Sequence, residues 1–318
     1  MVKGMKVLIV GEFTKQTKEI ILSLFPKKWA VVILPPGEEM MKHLEDCEVL
    51  IPEHIQVDEE LLATAKELKF IQTGAGFDNV DVDACTKFGV RVANAAGVNA
   101  QAVAEHVMAL MLAYFKNIPQ LDAFMKNRED ENRLSYAGSE LEGKTIGIIG
   151  MGAVGKKVAA FCQAFGMKVF AYARNTAGTA PGSVKMCSFD TLVREADIIS
   201  VHVSLNQQTK KLIDAATFKK MKKNAVVINT ARGGILAEQD LIEALKTGEI
   251  AGACLDVFEE EPLAKDSVLR DMQNVILTPH TAGMPDGYKI HQKRYAFFVA
   301  NIERIVKGEQ PQNNLNAF

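Results

Sequence analysis

Apolar residues in the first hundred positions fall into short runs at 6–10, 30–34, 49–51 and 70–72, dense in the residues that suit a pleated, buried strand. Mixed runs of helical character, at 18–25, 40–46 and 59–67, lie between them. This alternation predicts a parallel sheet flanked by helices. From 99 to 115 the chain is apolar nearly all round, through Ala102, Val103, Ala104, Val107, Met108, Leu110 and Met111, with Glu105 and His106 as interruptions. That stretch is short and broken for a bilayer span and predicts a fully buried helix. A polar segment, 117–141, separates it from a second αβ series with strands predicted at 145–149, 168–172, 198–203, 225–229, 252–257 and 274–277. Six such strands suit a doubly wound sheet. A final helix over 288–307 follows a loop bearing Gly and Pro, and is expected to return to the first series, making that domain discontinuous.

A length of 318 residues fits two domains. The net charge of −2, with 24% charged residues, provides no basic field for nucleic acid or an anionic membrane, so the expected partner is a small molecule. The five cysteines, Cys47, Cys85, Cys162, Cys187 and Cys254, form no CxxC pair or metal-like spacing and are expected as small core residues in a reducing compartment. The apolar run at 6–10 is too short for a signal peptide, and a cytoplasmic location is expected.

The candidate chemistry begins at Gly150-Met-Gly152-Ala-Val-Gly155, between the strand Thr145-Ile-Gly-Ile-Ile149 and a helical stretch at 156–165. There a dinucleotide pyrophosphate finds bare backbone N–H groups and a helix N-terminus. Downstream, Arg232, Glu261 and His280 each follow a predicted strand, where ligands of open α/β sheets bind. Hydride transfer to a carbonyl needs a proton donor, a cation for a neighbouring carboxylate and dry positioning. His280 suits the donor, and a carboxylate beside it favours the imidazolium. Glu261 is the candidate carboxylate, and the fork of Arg232 suits a bidentate grip on a 2-oxo or 2-hydroxy acid. An arginine in a Gly-Gly turn and a glutamate in a run of three are ordinarily solvated, so joint placement singles these residues out.

Four stretches then carry a resemblance: residues 150–155, Ile228-Asn-Thr-Ala-Arg-Gly-Gly234, Leu255-Asp-Val-Phe-Glu-Glu-Glu-Pro262 and Thr278-Pro-His-Thr-Ala-Gly283. In them, and over nearly its whole length, the chain resembles the D-isomer-specific 2-hydroxyacid dehydrogenases. The resemblance implies an α/β protein of two doubly wound parallel-sheet domains. One is a Rossmann NAD(P)-binding domain at 99–287; the other is a flavodoxin-like substrate domain made of 1–98 plus 288–318. It makes Arg232 the substrate-binding arginine, His280 the acid/base and Glu261 its partner, with Glu259 and Glu260 as bystanders. It assigns the cofactor to Gly150, Gly152, Ala153, Val154, Gly155, Thr230 and Ala231, with Asp256 as an anchor for the nicotinamide carboxamide. It assigns the substrate carboxylate to the backbone of Gly74, Ala75 and Gly76, and places Asn99 near the active site, where its minimal role is a helix N-cap. His106 is left as a packed or interface histidine. A homodimer is also implied, with 102–115 and 117–141 as candidate contacts.

The second strand of the nucleotide domain departs from the commonest pattern. It ends Tyr172-Ala173-Arg174-Asn175-Thr176, without the acidic residue that bonds the adenine-ribose hydroxyls of NAD. Arg174, Asn175 and Thr176 are therefore expected to bind a 2′-phosphate, and NADP is the expected cofactor, with NAD the alternative. The expected reaction is reduction of a small 2-oxo acid to the D-2-hydroxy acid, in a minimal two-domain form without a regulatory domain. Glu261 argues against a formate dehydrogenase, a relative that carries glutamine there. The alternatives are NAD preference with another acid such as 3-phosphoglycerate, and a nicotinamide-sensing binding protein of corepressor type.

Overall fold

The computed structural model describes residues 4–53, 55–127, 138–173, 182–284 and 287–317. The first αβ series runs β1 Lys6–Val10, α1 Lys15–Leu24, β2 Ala30–Leu34, α2 Glu38–Leu44, β3 Val49–Pro52, α3 Glu59–Thr64, β4 Phe70–Gln72, α4 Val82–Lys87 and β5 Arg91–Ala93. The second runs α5 Ala100–Phe115, α6 Ile118–Lys126, β6 Thr145–Ile149, α7 Ala153–Ala164, β7 Lys168–Tyr172, β8 Lys185–Met186, α8 Phe189–Glu195, β9 Ile198–Val201, α9 Ala215–Phe218, β10 Val226–Asn229, α10 Glu238–Thr247, β11 Gly252–Leu255 and β12 Val275–Leu277, and α11 Tyr288–Val306 ends the chain. Two compact units result: Met1–Asn99 with Met284–Phe318, and Ala100–Gly283.

The first unit is built on a parallel five-stranded sheet of order β2-β1-β3-β4-β5. Its strands are apolar on both faces because helices cover both. Val7, Ile9, Val49, Ile51 and Phe70 pack with Ile21 of α1 and Tyr295, Phe298 and Ile302 of α11. On the other face Leu8, Val10, Leu50, Ile71 and Val92 pack with Leu44, Leu62 and Cys85. The edge strand β5 is closed by the C-terminal segment: Asn316 Oδ1 accepts from the Val92 N–H and the Leu315 N–H donates to the Val92 carbonyl.

The second unit holds a parallel sheet of order β12-β11-β10-β9-β6-β7-β8, so its connections reverse direction between β9 and β6. The seventh strand, β8, is two residues long and was not among the six expected. On one face α5 and α7 cover Ile146, Ile148, Ile198, Val226 and Ile228. On the other, α8 and α10 cover Ile149, Ile199, Val201, Val227 and Leu255. The expectation of a fully buried α5 is corrected: Ala104, Val107, Met108 and Met111 are buried, but Gln101, Glu105 and Ala109 form an exposed stripe at four-residue spacing. Among the described residues, no helix is long and apolar enough to cross a membrane.

Candidate active site

In the second unit the expected reactive residues follow three neighbouring parallel strands: Arg232 after β10, Asp256 and Glu261 after β11, and His280 after β12. His280 Nδ1 lies 2.6 Å from Glu261 Oε2. The other carboxylate oxygen, Oε1, accepts from the Phe258 N–H at 3.1 Å, which fixes the glutamate from behind. Pro262, whose bond to Glu261 is cis, turns the chain immediately afterwards. The pair remains open, with 46% of the His280 side chain and 33% of that of Glu261 accessible. Beside it is a cavity of about 530 Å³, lined mainly by Phe258, Pro262, Leu263, Leu277 and Pro279.

His280 has φ +55°, in the left-handed region that costs a non-glycine residue about 1 kcal/mol or more. Its surroundings impose that turn. The His280 N–H donates to the Asp256 carbonyl at 2.8 Å. The buried Asp256 carboxylate accepts from Thr278 Oγ1 at 2.6 Å and from the Thr281 and Ala282 N–H groups, both at 2.9 Å. His106 of α5 extends the network, its Nε2 lying 3.1 Å from Thr278 Oγ1 and 3.6 Å from Asp256 Oδ1. Thr278 and His106 are thus part of the site's architecture, although sequence reading passed over the threonine and left the histidine as packing. The repeated carboxyl-end placement of Thr278 and Asp256 was the available signal.

Arg232 is half-buried in extended backbone, its Nη1 donating to the Ala231 carbonyl at 2.8 Å, while Asn229 clasps the turn by accepting from the Ala231 N–H and donating to the Arg232 carbonyl. The next residue must be glycine. A Cβ on Gly233 would come within 1.9 Å of the Phe258 carbonyl group. This close approach seats the Arg232 turn on the segment leading to Glu261. Glu259, expected as a bystander to the chemistry, has a structural part: it and Glu238 exchange bonds to each other's backbone N–H, capping the start of α10.

The residues after β6 fit a dinucleotide. Gly150 has φ +101° and a Cβ there would strike the His202 carbonyl; one on Gly155 would strike the Gly150 carbonyl. Gly152 opens α7 with no side-chain cap and with free space where a Cβ would stand. The helix N-terminus, with the adjacent Ala153 exposed and Val154 half-buried, therefore offers bare N–H groups to a pyrophosphate. Thr230 Oγ1, in the segment assigned to the cofactor, is a buried hydroxyl without a partner among the described residues, as a contact awaiting its ligand would be. Arg174, Asn175 and Thr176 lie outside the described residues.

In the first unit, Gly74, Ala75 and Gly76 follow β4. The Gly74 carbonyl accepts from the Ala95 N–H and the Ala75 carbonyl from Asn94 Nδ2, so the loop is held by its oxygens. Among the described residues, the Ala75 and Gly76 N–H groups have no acceptor. Asn99 is half-buried, directly ahead of α5. Among the described residues, no three His, Cys, Asp or Glu side chains converge as a metal site.

Residues 108–282 match the family described as "D-isomer specific 2-hydroxyacid dehydrogenase, NAD binding domain". The chain is 43% identical over 284 residues to a D-3-phosphoglycerate dehydrogenase of Archaeoglobus fulgidus, covering 88% of this chain and 53% of the relative. It therefore spans about half the length of that curated relative. It is 38% identical over 301 residues to a glyoxylate reductase of Thermococcus litoralis, covering 91% of this chain and 89% of the other. Among solved structures it is similar to an acyclic imino acid reductase in complex with NADPH and D-Arg, with a TM-score of 0.86, 28% identity and coverage of 98% of this chain and 100% of the other. By its sequence, its two parallel sheets and its strand-end residues, this chain belongs to the D-isomer specific 2-hydroxyacid dehydrogenase family.

Proposed function

We propose that this protein reduces a small 2-oxo acid to the D-2-hydroxy acid with a hydride from NADPH. The observation that carries the reading is the 2.6 Å contact between His280 Nδ1 and Glu261 Oε2 at the carboxyl end of the sheet. When bound, the nicotinamide supplies the hydride. Because the glutamate accepts from Nδ1–H, Nε2 is the nitrogen left to deliver a proton to the developing alkoxide. In the second unit Arg232 is given the substrate carboxylate and the adjacent carbonyl; in the first, the resemblance gives the Ala75 and Gly76 N–H groups a carboxylate-binding role. The resemblance assigns Asp256 to the nicotinamide carboxamide; in this chain both its oxygens hold the 278–282 loop, so we also give it the role of positioning His280.

The NADPH preference rests on Ala173 and on Arg174, Asn175 and Thr176, where an acidic residue would repel a 2′-phosphate. Initial rates with NADPH and NADH, using glyoxylate, hydroxypyruvate, 2-oxoisocaproate and phenylpyruvate, test both parts. Higher kcat/KM with NADH overturns the cofactor assignment, and no turnover with any acid overturns the reaction. The similarity to D-3-phosphoglycerate dehydrogenases favours a second reading with a phosphorylated acid, tested by adding 3-phosphohydroxypyruvate to the series. We assign a homodimer as the working form; a monomer mass by light scattering overturns it.

A further inference from the structure

In the first unit a chain of buried carboxamides stands behind the 74–76 loop. Gln72 closes β4, and its Nε2 donates to the Thr73 carbonyl at 2.9 Å and to the Ala93 carbonyl at 3.2 Å. Its Oε1 accepts from Asn301 Nδ2 of α11 at 2.8 Å. Asn301 also donates to the Gln312 carbonyl at 3.0 Å and accepts from the Gln312 N–H at 2.8 Å. Both carboxamides are buried. An amide facing two carbonyls must present its nitrogen there, which leaves the Gln72 oxygen for Asn301 and fixes the second amide in turn. The neighbouring Asn313 adds an outer link, its Nδ2 donating to the Asn94 and Ala96 carbonyls, both at 3.2 Å.

The network bears on three successive carbonyls. That of Thr73 is held by Gln72, that of Gly74 by the Ala95 N–H and that of Ala75 by Asn94 Nδ2. In a planar trans peptide the carbonyl of one residue points opposite to the N–H of the next, and the bonds from Thr73 to Gly76 are trans. Gripping these oxygens therefore turns the N–H groups of Gly74, Ala75 and Gly76 to the opposite side. Successive N–H groups sharing a side make a concavity suited to an anion. The approach is open at Gly74, where a Cβ would meet nothing within 4 Å.

We propose that Gln72 and Asn301 are positioning residues for this loop: they fix the peptides whose Ala75 and Gly76 N–H groups meet the oxo-acid carboxylate. The inference rests on the oxo-acid reading above and deepens it. Neither amide touches the substrate and neither titrates, so their contribution is geometric. A loop held in place before the acid arrives spares the ordering cost at binding, so its loss falls on KM more than on kcat.

Asn301→Asp keeps the side-chain shape and the acceptor for the Gln312 N–H but replaces the donor to Gln72 by an oxygen. Gln72 must then turn its nitrogen towards the new carboxylate, which sets its oxygen against the Thr73 and Ala93 carbonyls. Gln72→Glu removes the same donor directly, and Asn313→Ala cuts only the outer link. The test is steady-state kinetics of the parent and these variants with the 2-oxo acid the parent turns over best, with thermal melts reporting which variants fold. Asn301→Asp and Gln72→Glu are each expected to raise the oxo-acid KM about tenfold or more, with kcat changed less and the nucleotide KM unmoved. Asn313→Ala is expected to give a smaller rise of the same kind and keeps the test open if the buried substitutions do not fold. An unchanged oxo-acid KM in the folded variants, or a loss confined to kcat and melting temperature, assigns the amides to packing alone and overturns the inference while the reaction stands. Silence of the parent with every oxo acid overturns the reaction and this inference with it.

Discussion

His280 occupies a left-handed backbone conformation between two elements that hold it there, the Asp256 carbonyl on its own N–H and the Asp256 carboxylate on the two N–H groups that follow. Strain retained at one residue under such constraint marks a place where orientation matters. His280→Ala is expected to lower kcat by about 10²–10⁴-fold, as loss of a general acid does, and a drop below tenfold would remove His280 from that role. Thr278→Val separates orientation from chemistry. It removes the hydroxyl between His106 and the buried Asp256 while leaving the His280–Glu261 pair intact in composition. The expected result is a fall in kcat with a smaller change in the oxo-acid KM, restored by Thr278→Ser; equal kinetics for valine and threonine would show that the network does not position the loop. Arg232, Glu261 and His280 were legible because residue type and strand-end position coincide in sequence. His106 was not, since its partner Thr278 is 172 residues away and only the folded sheet joins them.

At the scale of elements, apolar runs predicted β1, β2, β6 and β7, of five residues each, and the shorter β4 with their observed bounds, because a strand covered on both faces leaves a continuous apolar signature. The short elements escaped. β8, of two residues, is too brief to register, β5 opens on the charged Arg91 and carries only two apolar residues, and α4 depends on Asp81 accepting from the Ala84 N–H. The exposed stripe of α5 escaped because small Ala109 lies on it among larger buried neighbours. Glycines join elements as well as end them. Gly233→Ala would drive a Cβ into the Phe258 carbonyl group and must separate the Arg232 turn from the segment carrying Glu261. Overpacking of this kind costs about 1–3 kcal/mol. The variant is expected to melt lower and to lose kcat, whereas Gly152→Ala, with open space around its Cβ, should keep the parent melting temperature and weaken nucleotide binding in a titration. Unchanged nucleotide affinity in Gly152→Ala would count against that turn as the pyrophosphate site.

For the whole molecule, the dependence of stability on pH should expose one group beneath the glycine turn. The partly buried His202 follows β9, its N–H donates to the Ile149 carbonyl, its own carbonyl abuts Gly150, and its Nε2 pairs with Ser200 Oγ at 2.9 Å. Burial pulls its pKa from 6.5 down to about 4. The unfolded chain therefore binds this proton before the folded one does, so stability rises with pH through the window. The contribution is complete above about 6.5 and is lost as pH falls towards 4, amounting to at most about 3 kcal/mol. Asp197 acts in a separate range. Burial alone would raise its pKa, but the Thr145 N–H and Lys222 outweigh that and lower it, so its contribution fades only below the ordinary carboxylate value of 3.8. Denaturant unfolding between pH 4 and 7 should therefore show declining stability in the parent and a flatter profile in His202→Gln, which keeps a polar partner for Ser200 without a titrating ring. Parallel profiles would assign the acid sensitivity to other groups. Because the same histidine backs Gly150, protonation should also disturb the turn, and nucleotide affinity is expected to weaken over the same pH range in the parent and less in the variant.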